Sequence, residues 1–219
     1  MERVSESFRR GLRAGVPFSL VAFLLSMSFG VLAIQAGFSA FQAIVMSAVV
    51  NAGSAQFAVT AIVAGGGGPI PGVLAGTLVN ARFLAMGIAV APSLPNGPFV
   101  RALQGQTVVD LSWALANRGD GSFDRHMLMG ATVPQYVGWL SGTVIGAFAG
   151  DLAGDTDRLG LDAVFPTFFL ALLAAELREP RSRRVALIGA VIALALVPFT
   201  PPGIPVLAAG IAALVGLTR

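Results

Sequence analysis

Apolar residues run along this chain in long blocks, without the alternation of a strand or the narrow stripe of a soluble helix. From Ala14 to Ala81, and again from Val185 to Thr218, no Asp, Glu, Lys or Arg occurs. A helix needs about 20 apolar residues to cross a bilayer, and breaker residues cut the blocks into segments of that order. Val16–Ala36 and Phe41–Ala64 come first, the second ended by Gly65-Gly66-Gly67-Gly68-Pro69. Ile70–Leu94 follows, interrupted by Asn80-Ala81-Arg82. Phe99–Asn117 is weaker, because it carries Gln104, Gln106 and Asp110. Met127–Ala149, Leu161–Leu177 and Val185–Phe199 are next, and the turn Thr200-Pro201-Pro202-Gly203 leads into Ile204–Leu217. The pattern predicts an all-α, polytopic transmembrane helical bundle of about eight crossings, a single integral membrane domain over residues 1–219.

Charge orients the segments. The fourteen basic residues are all Arg and gather at block edges, and Arg-rich flanks stay on the cytoplasmic side. Arg3, Arg9, Arg10 and Arg13 place the N-terminus inside. Arg178, Arg181, Arg183 and Arg184 mark a second inside loop, and Arg118 with Arg125 a third, whereas Asp151, Asp155 and Asp157, with Arg158, fit an outside loop. These sides agree only if an even number of crossings precedes Arg118, so either Phe99–Asn117 crosses or Ile70–Leu94 re-enters. The crossing is the preferred reading; it puts both termini in the cytoplasm and leaves Arg101 at the outer edge against the trend. The basic start and Val16–Ala36 are read as a retained first helix, since the stretch is long enough to span and more spans follow. At an offset of 83 residues, Met46, Ala48, Val50, Thr60, Ile62 and Ala64 recur as Met129, Ala131, Val133, Thr143, Ile145 and Ala147. Repeat halves at 14–97 and 98–180 would each hold three spans, and an odd-numbered repeat must insert upside down, a 3+3 inverted repeat. Residues 181–219 are then an appended helix pair.

Composition excludes several classes. With 55% hydrophobic and 11% charged residues and a mean hydropathy of +0.80, a soluble domain, at about 25% charged, is ruled out. The net charge of +3 forms no patch for nucleic acid. The chain has no cysteine for a disulfide or thiolate, and its one histidine, His126, cannot build a multi-histidine metal site. No cofactor and no metal are expected. No Gly-x-x-x-x-Gly-Lys-Ser/Thr loop supports direct ATP use. A serine hydrolase built on Gly53-Ser54 would lack a base, because His126 lies at a membrane edge. No catalytic residue is assigned, and the chain is not read as an enzyme.

What remains is polar chemistry inside apolar segments, where an unpaired polar group costs several kcal/mol. Asn51-Ala52-Gly53-Ser54-Ala55-Gln56 lies mid-segment. Small residues there can serve helix packing, with Asn and Gln bonding across helices, or the group can form a binding site; the cluster favours a site. Arg82, near the centre of its segment, needs a counter-ion, a bound anion or a water-filled cavity. Pairing with Asp110 and holding a substrate carboxylate are not exclusive. Asp110 is a candidate proton relay or ammonium holder if its segment crosses, and is merely solvated if it does not. Pro134-Gln135-Tyr136 aligns with the start of the Asn51 cluster, either as a simple kink or as part of a shared site. The candidate substrate-binding residues are thus Asn51, Gly53, Ser54, Gln56, Asn80, Arg82 and Gln135, with Asp110 for coupling. Asn51, Gln56, Asn80, Arg82 and Asp110 are expected to converge on one polar site. Glu176 and Glu179 read as interfacial, Phe165, Phe168 and Phe169 as lipid contacts or packing, and His126 is given no role.

In this order, Phe29-Gly30, Ala36-Gly37-Phe38-Ser39, Met46-Ser47, Ala52-Gly53-Ser54-Ala55-Gln56-Phe57, Asn80-Ala81-Arg82 and Asp110 resemble the AzlC family of branched-chain amino acid permeases. The likeness is dense in the N-terminal half and rests on hydropathy and spacing beyond it. The chain departs from the family where Leu111 follows Asp110, a place where members often carry a second acid, and this removes the basis for two-carboxylate coupling. The resemblance implies a plasma-membrane secondary transporter that exports branched-chain, and often other hydrophobic, amino acids. It also implies a small AzlD-type membrane protein as partner. Alternating access and proton coupling are the expected mechanism. The competing class is a non-transporting membrane subunit or assembly factor, which would tolerate loss of Arg82 and Asp110.

Overall fold

A computed structural model describes residues 2–95, 97–149, 167, 170, 173, 174, 177–201 and 203–212. Among these residues the chain is helical, and the only β-type pairing is a bridge between Asn117 and Phe123. The outside loop Asp151–Arg158, most of the Leu161–Leu177 segment, Glu176 and the three phenylalanines at 165, 168 and 169 lie outside the described residues.

The spine is a pair of long helices, α1 (Glu2–Gln35) and α8 (Arg125–Ala149). Within α1, Glu6–Gln35 is long and apolar enough to cross a membrane. The two run parallel, with Gly11 against Met127–Ala131 and Gly30 against Thr143–Ala147. On α8, Gly130, Gly138, Gly142 and Gly146 form one small-residue face, which lets the backbones approach without the hydrophobic drive available in water. Gly142 makes the point: a Cβ there would collide with the Phe23 carbonyl and the Ser26 hydroxyl. Because the helices are parallel, both begin at one end of the molecule, and the Ser7 hydroxyl donates to Asp124 Oδ2 there at 2.7 Å.

At the other end, α1 closes with Phe38 N donating to Ala33 O and Gly37 N to Ile34 O, with Gly37 at φ 90°. Ser39 then caps α2 (Ala40–Val50) in a reciprocal box with Gln42. Here the structure departs from the continuous Phe41–Ala64 helix expected above. Asn51 takes a left-handed conformation (φ 41°, ψ 39°), and α3 (Gly53–Ala64) turns back. Gln56 Nε2 reaches Ser47 Oγ at 2.9 Å, and Phe57 packs edge-on against Phe29 in a cluster that also holds Ala43, from the first turn of α2. A straight helix would hold Ala43 and Phe57 about 21 Å apart. α2 and α3 are therefore a helical hairpin of 11 and 12 residues. Each arm is about 17–18 Å long, little more than half a hydrocarbon core.

α4 (Pro69–Asn80) packs antiparallel on α3, with Gly72 and Gly76 against Val59. At Ala81 the chain bends by 41° into α5 (Arg82–Val90) and a short 3₁₀ turn, Ala91–Ser93. The Ser93 hydroxyl accepts from Phe123 N at 3.0 Å, so this broken element ends near the start of α8.

The Phe99–Asn117 segment is likewise not one helix. α6 (Pro98–Gly105) and α7 (Asp110–Ala116) form a second hairpin, entering from the end opposite the first. Its base is tied by Arg101 Nε to Leu94 O and by Asp124 N to Ala116 O. Its tip is tied by Thr132 Oγ1 to Thr107 O at 2.6 Å. The reason both segments break is chemical: Asn51, Gly53, Gln106 and Asp110 are poor mid-helix residues in hydrocarbon, and a hairpin brings their polar groups together. After α8, α9 (Pro180–Leu196) and α10 (Ile204–Ala209) are described, α10 lying against Leu78 of α4 through Gly210.

Candidate functional site

The two hairpin tips and the α4–α5 break meet at mid-height. Asn51 and Ala52 from one tip, Gln106 and Val109 from the other, and Asn80 and Phe83 from the break line a cavity of about 360 Å³. Two neighbours adjoin it. One, of about 470 Å³, also touches Asn51 and Gln106, and adds Thr107, Thr132 and Tyr136. The other, of about 490 Å³, shares Val50 and Asn80 and is otherwise almost wholly apolar.

Arg82 ties the elements together. Its guanidinium lies 2.9 Å from Asp110 Oδ2, donates to Ser54 Oγ at 3.1 Å, and stacks 5.1 Å from the centroid of Phe83. The N-terminal turns of α3, α5 and α7 thus come together on one guanidinium. Helix N-termini carry partial positive charge, so this junction favours an anion. The Arg82 and Asp110 side chains keep 42% and 60% of their accessible surface, so the pair stands open and an incoming carboxylate can reach it. The C-terminal ends of α2 and α4 present Asn51 and Asn80. Asn80 Oδ1 is closed to solvent and has no hydrogen-bond partner, an acceptor without a donor.

The expected residues separate into two groups. Ser54, Arg82 and Asp110 are in direct contact, and Asn51 and Asn80 line the adjoining cavity. Gln56 is elsewhere. It is fully buried, accepts from Trp139 Nε1 at 2.8 Å and donates to Ser47, whose hydroxyl bonds Thr143 at 2.7 Å. Convergence therefore excludes Gln56, because its amide is already spent in the seam between the first hairpin and α8. Gly53 supports the same seam; a Cβ there would sit 2.5 Å from Trp139 Cη2. Gln135, on α8, borders none of these three cavities, and its Oε1 is buried without a partner, as is Gln104 Oε1.

Sequence reasoning missed Ser47, Trp139 and Thr143, which look like ordinary apolar-helix residues until a partner faces them. It also missed Asp124. This carboxylate caps α8 through the amides of His126 and Met127, and accepts from Ser7 and Arg118. Burial works against its charge, but the bonds from Ser7, Met127, Arg118 and His126 outweigh it and hold the carboxyl at about 2. Its signal in the sequence was an acid directly before the Arg125–Ala149 helix, a capping position.

Three comparisons bear on identity. A family model described as "AzlC protein" matches residues 17–153. The inner membrane protein YgaZ of Escherichia coli (strain K12) is 27% identical over 207 residues, 88% of this chain and 83% of its own length. An uncharacterized membrane protein of Archaeoglobus fulgidus is 27% identical over 211 residues, 95% of this chain and 93% of its own. One from Helicobacter pylori (strain 26695) is 22% identical over 197 residues, 89% and 86%. No solved structure matches the chain.

Proposed function

The chain belongs to the AzlC family, a family of membrane proteins linked to transport, and on that premise we propose that it exports branched-chain and other small hydrophobic amino acids. It does so across the plasma membrane by alternating access, coupled to protons, with a small AzlD-type membrane protein as partner. The observation that carries this reading is the meeting of broken helices at Arg82. Discontinuous helices place charged ends and freed backbone groups at the midplane, the arrangement by which many secondary transporters hold a substrate. A zwitterion needs a positive site for its carboxylate, and Arg82 with the α3 and α5 N-termini provides one. It needs acceptors for its ammonium, and the free carbonyls at the α2 C-terminus supply them. Its aliphatic side chain needs an apolar wall, and the Val-rich cavity beside Asn80 is one. Asp110 is the coupling carboxylate: protonation releases Arg82, which frees the guanidinium for substrate.

The two hairpins replace two of the eight crossings. Among the described elements α1, α4–α5 and α8 then cross, and if Leu161–Leu177, Val185–Phe199 and Ile204–Leu217 are spans as their sequence predicts, both termini are still in the cytoplasm. Parity survives because both hairpins return to the side they left. Leucine efflux from proteoliposomes tests the transport reading. Arg82→Ala should lose efflux at matched membrane abundance, and Arg82→Lys should restore little, because an ammonium lacks the planar fork that grips a substrate carboxylate with two parallel bonds. Wild-type efflux from Arg82→Ala would favour the non-transporting subunit instead.

A further inference from the structure

The apolar cavity between the first hairpin and α4 has an unusual lining. Of its polar side chains, Thr77 spends its hydroxyl on the Val73 carbonyl at 2.8 Å, and Asn80 keeps an unpaired amide oxygen. Every other side chain that borders it is apolar: Phe38, Met46, Val50, Val59, Val63 and Val73 among them. The cavity runs from Phe38 and Pro69, at the end where α1 finishes, down to Val50 and Asn80 at the level of the hairpin tip. Its middle is shaped by one contact. Val59 of α3 faces α4 where that helix has Gly72 and Gly76; a Cβ at Gly76 would come within 2.8 Å of Val59 Cγ2. On the opposite side Val50, the last residue of α2, borders both this cavity and the tip cavity.

We propose that this cavity is the side-chain subsite of the transported amino acid, that Val59 and Val50 set the size it admits, and that Asn80 stands at its polar mouth. The inference rests on the transport reading above and deepens it. The geometry favours this cavity over its neighbour on the α8 side for a physical reason. The neighbour carries the side-chain amides of Asn51 and Gln106, and an aliphatic group placed there would strip water from them, although its Thr107, Thr132 and Tyr136 hydroxyls are already bonded to backbone carbonyls. In the Val59 cavity an aliphatic group meets almost only carbon, and the residue Asn80 stands at its polar end. Val59 and Val50 border the cavity from α3 and α2, so trimming one or enlarging the other changes the room left for the substrate side chain.

Opposite changes in volume test this. Val59→Ala deepens the subsite, and Val50→Leu narrows its mouth. Counterflow of valine, leucine, methionine and phenylalanine is measured in proteoliposomes of the wild-type full chain and each variant. Val59→Ala should raise the rate of phenylalanine or methionine relative to valine by about tenfold, the scale on which a pocket reads one or two methylenes. Val50→Leu should shift the same ratio the other way. Retention of wild-type ratios by both variants, with flux preserved, overturns the subsite and leaves the transport reading standing. No amino-acid flux from the wild type overturns both. A variant that loses all flux is checked by the other, since the two shift the ratio in opposite directions.

Discussion

At the residue scale, Gln56 and Arg82 look alike in the sequence, each a polar residue within an apolar segment, and the structure gives them opposite situations. Gln56 is fully buried with both ends of its amide engaged, by Trp139 and Ser47. Arg82 is open, and its partners come from two other helix starts. Gln56→Ala strands the Trp139 N–H in a place water does not reach, a loss of about 1–3 kcal/mol. Thermal unfolding in detergent should therefore show a clear fall in midpoint for Gln56→Ala. A variant with wild-type stability but no transport would return Gln56 to the substrate site. The sequence could mark both residues as costly, but cost alone does not separate a satisfied core amide from a waiting site. That distinction depends on Trp139, 83 positions away in the chain.

At the element scale, the parallel pairing of α1 and α8 is held by a glycine face along its length and by Asp124 at its start. With its carboxyl held at about 2 against an ordinary 3.8, Asp124 binds its proton less readily folded than unfolded. Its contribution is complete above about pH 4 and drains away as pH falls toward 2, about 2 kcal/mol in all. Denaturant unfolding at pH 6 and pH 3 should show about half of this loss, and Asp124→Asn should be less stable at pH 6 and respond less to acid. An equal acid response in the variant would place the acid-sensitive group elsewhere. Of the elements, α1, α8, α9 and the Asn80–Arg82 break were legible from apolar length and breakers. The hairpins were not. Hydropathy averages over a window of about 19 residues, and two short arms of the same polarity read as one span. Asn51 and the Gln106–Val109 stretch interrupt those runs too briefly to show.

At the scale of the whole molecule, two hairpins entering from opposite ends and meeting at a broken helix make a different topology from a ladder of crossings. The two plans differ at one loop. If α2–α3 re-enters, Ala36 and Ala64 face the same side; if Phe41–Ala64 crosses, they face opposite sides. Single cysteines at these positions have no background, because the chain contains none. An impermeant thiol reagent should label Ala36→Cys and Ala64→Cys from the outside, and Gly97→Cys from the inside. Labelling of Ala36→Cys and Ala64→Cys from opposite sides would restore the continuous span. The even parity expected from the arginine count is compatible with this topology, because the hairpins remove crossings in a pair.

An amino acid bound where the hairpin tips meet should shield those tips from modification. Asn51→Cys and Val109→Cys stand on separate hairpins, yet border one cavity. In each variant that still exports leucine, thiol labelling is measured with and without leucine, using an amino acid that is not transported as the control. Leucine should slow labelling of both cysteines over the same concentration range and leave Gly97→Cys unaffected. Unchanged labelling at both tips, in protein that exports leucine, would place the substrate elsewhere and contradict binding at the tips.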